Sequence, residues 1–467
     1  MPYSHFDRLT ALDTTFLDLE SDGVHMHVGT VATFEPGPLA TPEGGIDFEQ
    51  ILTLAEVGLR RAPRFRQKLG ATPITGHPVW IDDDRFNLNY HVRHTALPLP
   101  GDERRLKRLA GRIMSQKLDR SKPMWELWFV EGLEGGRFAV ISKVHHCLID
   151  GLSGVELLAA FMGPDPSYRP VETHHTWRPR PRPSSLELLG GELRHRIGLP
   201  ARMLADASGS LEHPAERIDS AVKTATGFVE GLGKAISPAS ETPLNVPIGP
   251  YRRFDWTRFD MDVVEEVKAK LGGTINDVVL ACVSGAVRRF LQQQGTSTRN
   301  IDFRVLVPVS TRTEQERGTL GNKVSMLVTS LPVDEHDPKR RVDRVIAETR
   351  KLKKSRQAEG THVLEEVSDW TSTSLLTGMS RLAASQRSYN MVVTNVPGPG
   401  FPVFLNGARM LESYPLVPLF ENQALGTALL SYDGALHWGF NADWEAMPDL
   451  HTFVADIEEE FEGLRKL

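Results

Sequence analysis

Leu106, Leu109, Ala110, Ile113 and Met114 recur at i, i+3, i+4, i+7 and i+8, which is one apolar face of a helix. Its other face carries Arg104, Arg105, Lys107, Arg108 and Arg112. Such a face is either simply solvated or turned toward acidic lipid headgroups or a phosphorylated cofactor. An apolar and aromatic run follows from Trp125 to Leu133, then Gly135-Gly136 as a turn. Phe138 to Val144 is rich in β-branched and aromatic residues and reads as a second strand. The pattern predicts a hairpin that delivers His145 and His146 at its end. Further on, Val263 to Leu271 reads as a helix stopped by Gly272-Gly273. Thr274 and Asp277 then make a capping-box start for a helix through Leu291. Phe303 to Val309, Met391 to Thr394 and Ala428 to Tyr432 read as strands, with Thr394 and Asn395 closing the second.

Proline divides the chain. Pro166, Pro170, Pro179, Pro181 and Pro183 alternate with Arg169, Arg178, Arg180 and Arg182, and a second cluster runs from Pro238 to Pro250. Proline breaks helices and cannot donate to a ladder, so the first cluster reads as an extended connector. A weakly amphipathic stretch lies between them, from about Leu186 to Leu232. The expected organisation is therefore residues 1–165, a crossover over 166–250, and residues 251–467.

Composition narrows the class. Hydrophobic residues make up 40% and charged residues 24% of 467 residues, which is ordinary globular usage. The net charge of −6 argues against a dedicated nucleic-acid binder. Two cysteines, Cys147 and Cys282, exclude a disulfide framework and a multi-cysteine zinc site, which fits a reducing cytoplasmic setting. The longest nearly uncharged apolar stretch, about Val278 to Val287, is far short of the ~20 residues of a spanning helix. The N-terminus carries Asp7, Arg8, Asp13 and Asp18 and has no signal-peptide core.

The segment richest in chemistry is His145-His146-Cys147-Leu148-Ile149-Asp150-Gly151, ahead of a helix start expected at Leu152-Ser153-Gly154. Three readings compete. A metal would need His145, His146 and Asp150 together, but adjacent strand residues point to opposite faces. A structural pair above an Asp-Gly turn is the second. The third is one catalytic histidine held by its neighbours, since a neutral imidazole can take a hydroxyl proton near pH 7. Asp150 would then pin the loop, and Gly151 would allow close backbone or substrate approach. Cys147 reads as a packing residue. His25, His27, His174 and His175 show no supporting pattern.

His-His-x-x-x-Asp-Gly resembles the signature of the CoA-dependent acyltransferase superfamily. Pro123-Met124-Trp125 resembles the Pro-Leu-Trp motif of the bacterial wax ester synthase/diacylglycerol acyltransferase family. Asn276-Asp277 and Thr394-Asn395-Val396-Pro397-Gly398-Pro399 are similar to two further motifs of that family. Leu12-Asp13-x-x-Phe16-Leu17, Pro308-Val309-Ser310, Leu320-Gly321-Asn322 and the run from Pro243 to Arg253 also fit, in the family's order. The resemblance covers nearly the whole chain.

It implies an α/β (α+β) fold of two chloramphenicol acetyltransferase-like halves with mixed sheets, joined by a long crossover, with a tunnel at their interface. It also implies transfer of a long-chain acyl group from acyl-CoA to diacylglycerol or a fatty alcohol, with His146 as general base and no acyl-enzyme. Acyl-CoA would be a co-substrate, with no resident cofactor or metal. Asn276 and Asp277 read as helix-capping and interface residues or as substrate contacts. Thr394 and Asn395 are oxyanion donors or structural, and Trp125 is core. Other readings are an acyltransferase using carrier-protein thioesters and a non-catalytic lipid-binding protein. Lipid substrates and no spanning segment imply peripheral contact with the inner membrane face or lipid droplets. The candidate surfaces are the Arg104–Arg112 face, the 166–250 connector, and Arg350, Lys351, Lys353, Lys354 and Arg356.

Overall fold

A computed structural model describes residues 6–148, 161–167, 177–193, 238–310, 324–359 and 388–467. In chain order, the first elements are β1 (Phe6–Arg8), α1 (Ala11–Leu19), β2 (His27–Phe34), α2 (Phe48–Arg61), β3 (Gln67–Ala71), β4 (Pro78–Asp82), α3 (Leu88–His91) and β5 (Val92–Ala96). Then come α4 (Glu103–Met114), β6 (Trp125–Glu131) and β7 (Phe138–His145). After the crossover follow β8 (Arg252–Asp260), α5 (Met261–Leu271), α6 (Ile275–Gln293), β9 (Phe303–Ser310), β10 (Val324–Leu331) and α7 (Pro338–Glu359). The chain ends with β11 (Met391–Pro397), β12 (Phe404–Leu405), β13 (Ala408–Leu416), β14 (Leu425–Tyr432), β15 (Ala435–Asp443) and α8 (Leu450–Arg465).

Two six-stranded mixed sheets carry the molecule, in the orders β12-β13-β2-β7-β6-β5 and β10-β9-β11-β14-β15-β8. A small sheet, β1-β4-β3, stands apart. The expected hairpin is present, with β6 antiparallel to β7. β7 is buried along its whole length because it is covered on both faces. On one face Val31, Ala139 and Ile141 pack against Leu106, Ala110, Ile113 and Met114 of α4, together with Phe254 and Trp256 of β8. On the other, Phe138, Val140 and Val144 join Phe16, Leu17, Leu430 and Tyr432. Each fully buried side chain of this size is worth about 1.5–3 kcal/mol.

The second sheet carries α5, α6, α7 and α8 over a single apolar cluster. The capping box is formed as the sequence predicts. Thr274 Oγ1 accepts from the Asp277 amide, and the Asp277 carboxylate accepts from the Thr274 amide. One boundary differs. β11 does not close at Thr394-Asn395 but runs to Pro397, because parallel β14 pairs with it as far as Pro397 opposite Ser431. The last part of the Asn-Val-Pro segment is thus strand rather than turn. In the connector, the Arg180 amide and guanidinium both bind the Asp82 carboxylate, and a helix occupies 185–193.

Candidate active site

Backbone hydrogen bonds fix both histidines. The His145 amide donates to the Met124 carbonyl at 3.0 Å, and the His146 amide to Met26 at 2.7 Å. Pro123-Met124-Trp125 therefore anchors the strand end that carries the motif. Trp125 is fully buried, donates from Nε1 to the Phe65 carbonyl at 2.6 Å and stacks on His91. Its role is core packing. Gly29 lets β2 close on β7, since a Cβ there would lie 2.0 Å from the Ser142 carbonyl oxygen.

The two imidazoles occupy opposite faces. His145 is buried on the α4 side, where its Nδ1 accepts from the Cys147 amide at 3.2 Å and lies 3.0 Å from Cys147 Sγ. An Nδ1 that accepts leaves the neutral ring's proton on Nε2. That nitrogen faces Glu20 Oε1 at 3.7 Å, and His27 Nε2 faces the same oxygen at 3.8 Å. Arg120 holds Glu20 Oε2 with bonds of 3.0 and 2.8 Å. His146, half-buried, turns the other way and stacks on Phe16 with ring centroids 3.9 Å apart. One ion cannot take both rings, and among the described residues no cluster of three metal-binding side chains occurs.

Burial is the main cause of every histidine shift here. It pushes His146 down to about 4 and His145 to about 3, with Arg120 adding to the latter. His25 falls to about 4 through burial and then the Arg252 charge, and His27 lies well below its ordinary range. All four rings are neutral near pH 7. His146 is in the form that can accept a proton, on the face opposite the Glu20 cluster.

A cavity of about 250 Å³ lies between the two sheets, and Leu430 and Tyr432 of its wall belong to the same apolar cluster as Phe16, on which His146 stacks. Its wall includes Thr30, Met162, Phe401, Val403, Leu430 and Tyr432. Asp150 and Gly151 lie outside the described residues, as do Leu152-Ser153-Gly154, Leu320-Gly321-Asn322, His174 and His175.

The other motif residues meet each other. Asn395 Nδ2 donates to Asn276 Oδ1 at 2.8 Å, joining the end of β11 to the start of α6. Asp277 is committed to its cap and accepts from Thr349 Oγ1 of α7 at 2.6 Å. Thr394 is half-buried beside them on β11. Among the described residues, no hydrogen bond links this group to His146. Arg252 ties the segments together: its guanidinium donates to the Gly23 and Gly249 carbonyls, and its amide donates to Ser115 Oγ at 2.8 Å.

Residues 9–279 match the model of the wax ester synthase/diacylglycerol acyltransferase catalytic domain, and residues 320–465 match that family's C-terminal domain. The chain belongs to this family. It is 32% identical to a probable diacylglycerol O-acyltransferase of Mycobacterium tuberculosis, over 97% of this chain and 94% of that one. The wax ester synthase/diacylglycerol acyltransferase of Marinobacter aquaeolei superposes with a TM-score of 0.68 at 25% identity, covering 98% of this chain and all of that one. A trichothecene 15-O-acetyltransferase of Fusarium sporotrichioides has a TM-score of 0.61 at 12% identity, over 98% of this chain and 96% of that one, and shares the fold. The two-lobed, chloramphenicol acetyltransferase-like fold is thus established, and the chain is a family acyltransferase.

Sequence reasoning gave no role to His25 and His27. The structure sets His27 directly opposite His145 across the β2–β7 ladder. Glu20, Arg120 and Phe16 complete the surroundings. The His25-x-His27 spacing at the entry to β2 was the available signal, but nothing in it pointed to a partner over a hundred residues away.

Proposed function

We propose that the protein transfers a long-chain acyl group from acyl-CoA to the hydroxyl of diacylglycerol or a fatty alcohol, with His146 as general base. The observation that carries this reading is the separation of the two histidines. His145 is enclosed by Cys147, His27 and Glu20, whereas His146 is half-buried against Phe16, whose apolar cluster extends to Leu430 and Tyr432 of the cavity wall.

In this mechanism the neutral His146 ring takes the acceptor's hydroxyl proton as the oxygen attacks the thioester carbonyl. The tetrahedral intermediate collapses by breaking the C–S bond. The imidazolium returns the proton to the departing CoA thiolate, and ester and CoA leave. Base assistance of this kind is typically worth ~10²–10⁴-fold. The apolar cavity suits part of an acyl chain, at about 0.8 kcal/mol for each buried methylene. The mycobacterial relative's name supports diacylglycerol as acceptor, and the Marinobacter protein's name supports both acceptors. Among the described residues no helix is long and apolar enough to cross a membrane. Such acceptors are then met at a lipid surface through peripheral contact.

The test supplies purified protein with palmitoyl-CoA and either dioleoylglycerol or hexadecanol, following CoA release and neutral lipid together. Ester formation with matching CoA release is expected. Absence of turnover with every long-chain acceptor overturns the reading. Faster reaction with acyl carrier protein thioesters would replace the donor.

A further inference from the structure

The mechanism leaves the outer face of α4 unused. Arg104, Arg108 and Arg112 stand at i, i+4 and i+8 on that helix, and all three are exposed. Among the described residues none of them makes an ion pair or side-chain hydrogen bond. Their neighbours behave differently: Arg105 pairs with Asp102, and Lys107 with Glu103 and Asp255. Like charges at i, i+4 repel, so nothing local favours the stripe. It also runs against the chain's net charge of −6.

β8 enlarges the patch. Gly111 packs so closely on β8 that a Cβ would lie 2.8 Å from the Arg252 carbonyl oxygen, which brings the arginine edge of α4 alongside this strand. Arg253 sits close enough to Arg108 to feel its charge. The Arg253 guanidinium lies 3.6 Å from the centre of the Trp444 ring, and Trp444 and Tyr251 are 47% and 61% exposed. Cations rimmed by exposed Trp and Tyr match a membrane–water interface, where phosphate headgroups meet the edge of the apolar layer. In the other basic run, Arg350 donates to the Gly272 carbonyl, and the side chains of Lys353, Lys354 and Arg356 lie outside those described.

We propose that Arg104, Arg108, Arg112 and Arg253, with Trp444 and Tyr251, dock the protein on an anionic lipid leaflet. This rests on the acyltransferase reading, whose acceptors reside in such a layer. α4 is seated on the strand that ends in the histidines, since Lys143 caps the Ile113 and Gln116 carbonyls two residues before His145. Docking by this face therefore fixes the height and orientation of the site above the lipid.

The experiment is vesicle flotation of wild type and the triple variant Arg104→Gln/Arg108→Gln/Arg112→Gln, using phosphatidylcholine vesicles with and without phosphatidylglycerol. Each cation at an anionic leaflet contributes about fivefold to partitioning, so the triple variant should bind phosphatidylglycerol vesicles about a hundredfold more weakly. High salt should do the same to wild type. Turnover of acyl-CoA with a short, water-soluble alcohol should be unchanged in the variant. Wild-type binding by the variant overturns the proposal. So does unaltered vesicle binding with a raised KM for acyl-CoA, which would assign the stripe to CoA phosphates. Flotation is read without turnover. A wild type that binds vesicles but transfers no acyl group would therefore fail the acyltransferase reading alone.

Discussion

Asn395 Nδ2 donates a 2.8 Å hydrogen bond to Asn276 Oδ1, so two polar motifs 119 positions apart meet side chain to side chain. A bond of this kind contributes about 0.5–1.5 kcal/mol. Asn276→Ala and Asn395→Ala should each lower the unfolding midpoint. The double variant should be less destabilised than the sum of the two, with a coupling of about 1 kcal/mol. Strict additivity in denaturant titration would show that the bond does not operate in solution.

His145 and His146 should fail in different ways. His146→Ala should lose at least ~10²-fold in turnover with an unchanged unfolding midpoint. His145→Ala removes the acceptor of the Cys147 amide and should cost about 1–3 kcal/mol of stability. Retained turnover in the folded His146 variant would move the base elsewhere.

Acidification should act through the buried histidines. Folded His25, His91, His146 and His437 are pushed down to about 4, mainly by burial, from an ordinary value of 6.5. Between those limits the unfolded chain binds more protons, so the stability they contribute is complete above 6.5 and is lost as pH falls toward 4. The unfolding midpoint should drop across that interval. In short assays on still-folded protein, the acid limb of kcat/KM should lie near pH 4 rather than 6.5. A limb at 6.5 would mean that His146 titrates as an exposed imidazole.

Asp277 should prove structural. Asp277→Ala removes a cap and the bond from Thr349, costing about 1–3 kcal/mol. Turnover per folded molecule should hold. A tenfold fall in fully folded protein would instead place Asp277 among the substrate contacts.

Much of this was legible in the sequence. The helix at Leu106, the hairpin and the Thr274 capping box announce themselves through local periodicity and local hydrogen bonding. Strand alternation predicts that His145 and His146 part company, although the strand ends at His145 and His146 opens a 3-10 turn that completes the separation. The Glu20–His27–His145–Arg120 cluster was not legible, because it is assembled by the β2–β7 ladder together with an ion pair between two distant non-strand segments. Nor was the continuation of β11 through Asn395: its extent depends on β14, and Pro397 locally reads as a turn residue.

One feature of the topology bears on how the chain is made. The first sheet is completed by β13, which pairs with β2 across nearly the full length of the protein, and by β12 on the outer side of β13. Until Leu416 has emerged, β2 presents an open edge of the kind that recruits foreign strands. At ~5–20 residues per second, synthesis of the intervening chain leaves that edge bare for roughly 20–80 s. Nascent or truncated chains ending before residue 400 should accordingly be claimed by chaperones or aggregate, and a separately supplied C-terminal fragment would act on them as the missing strand.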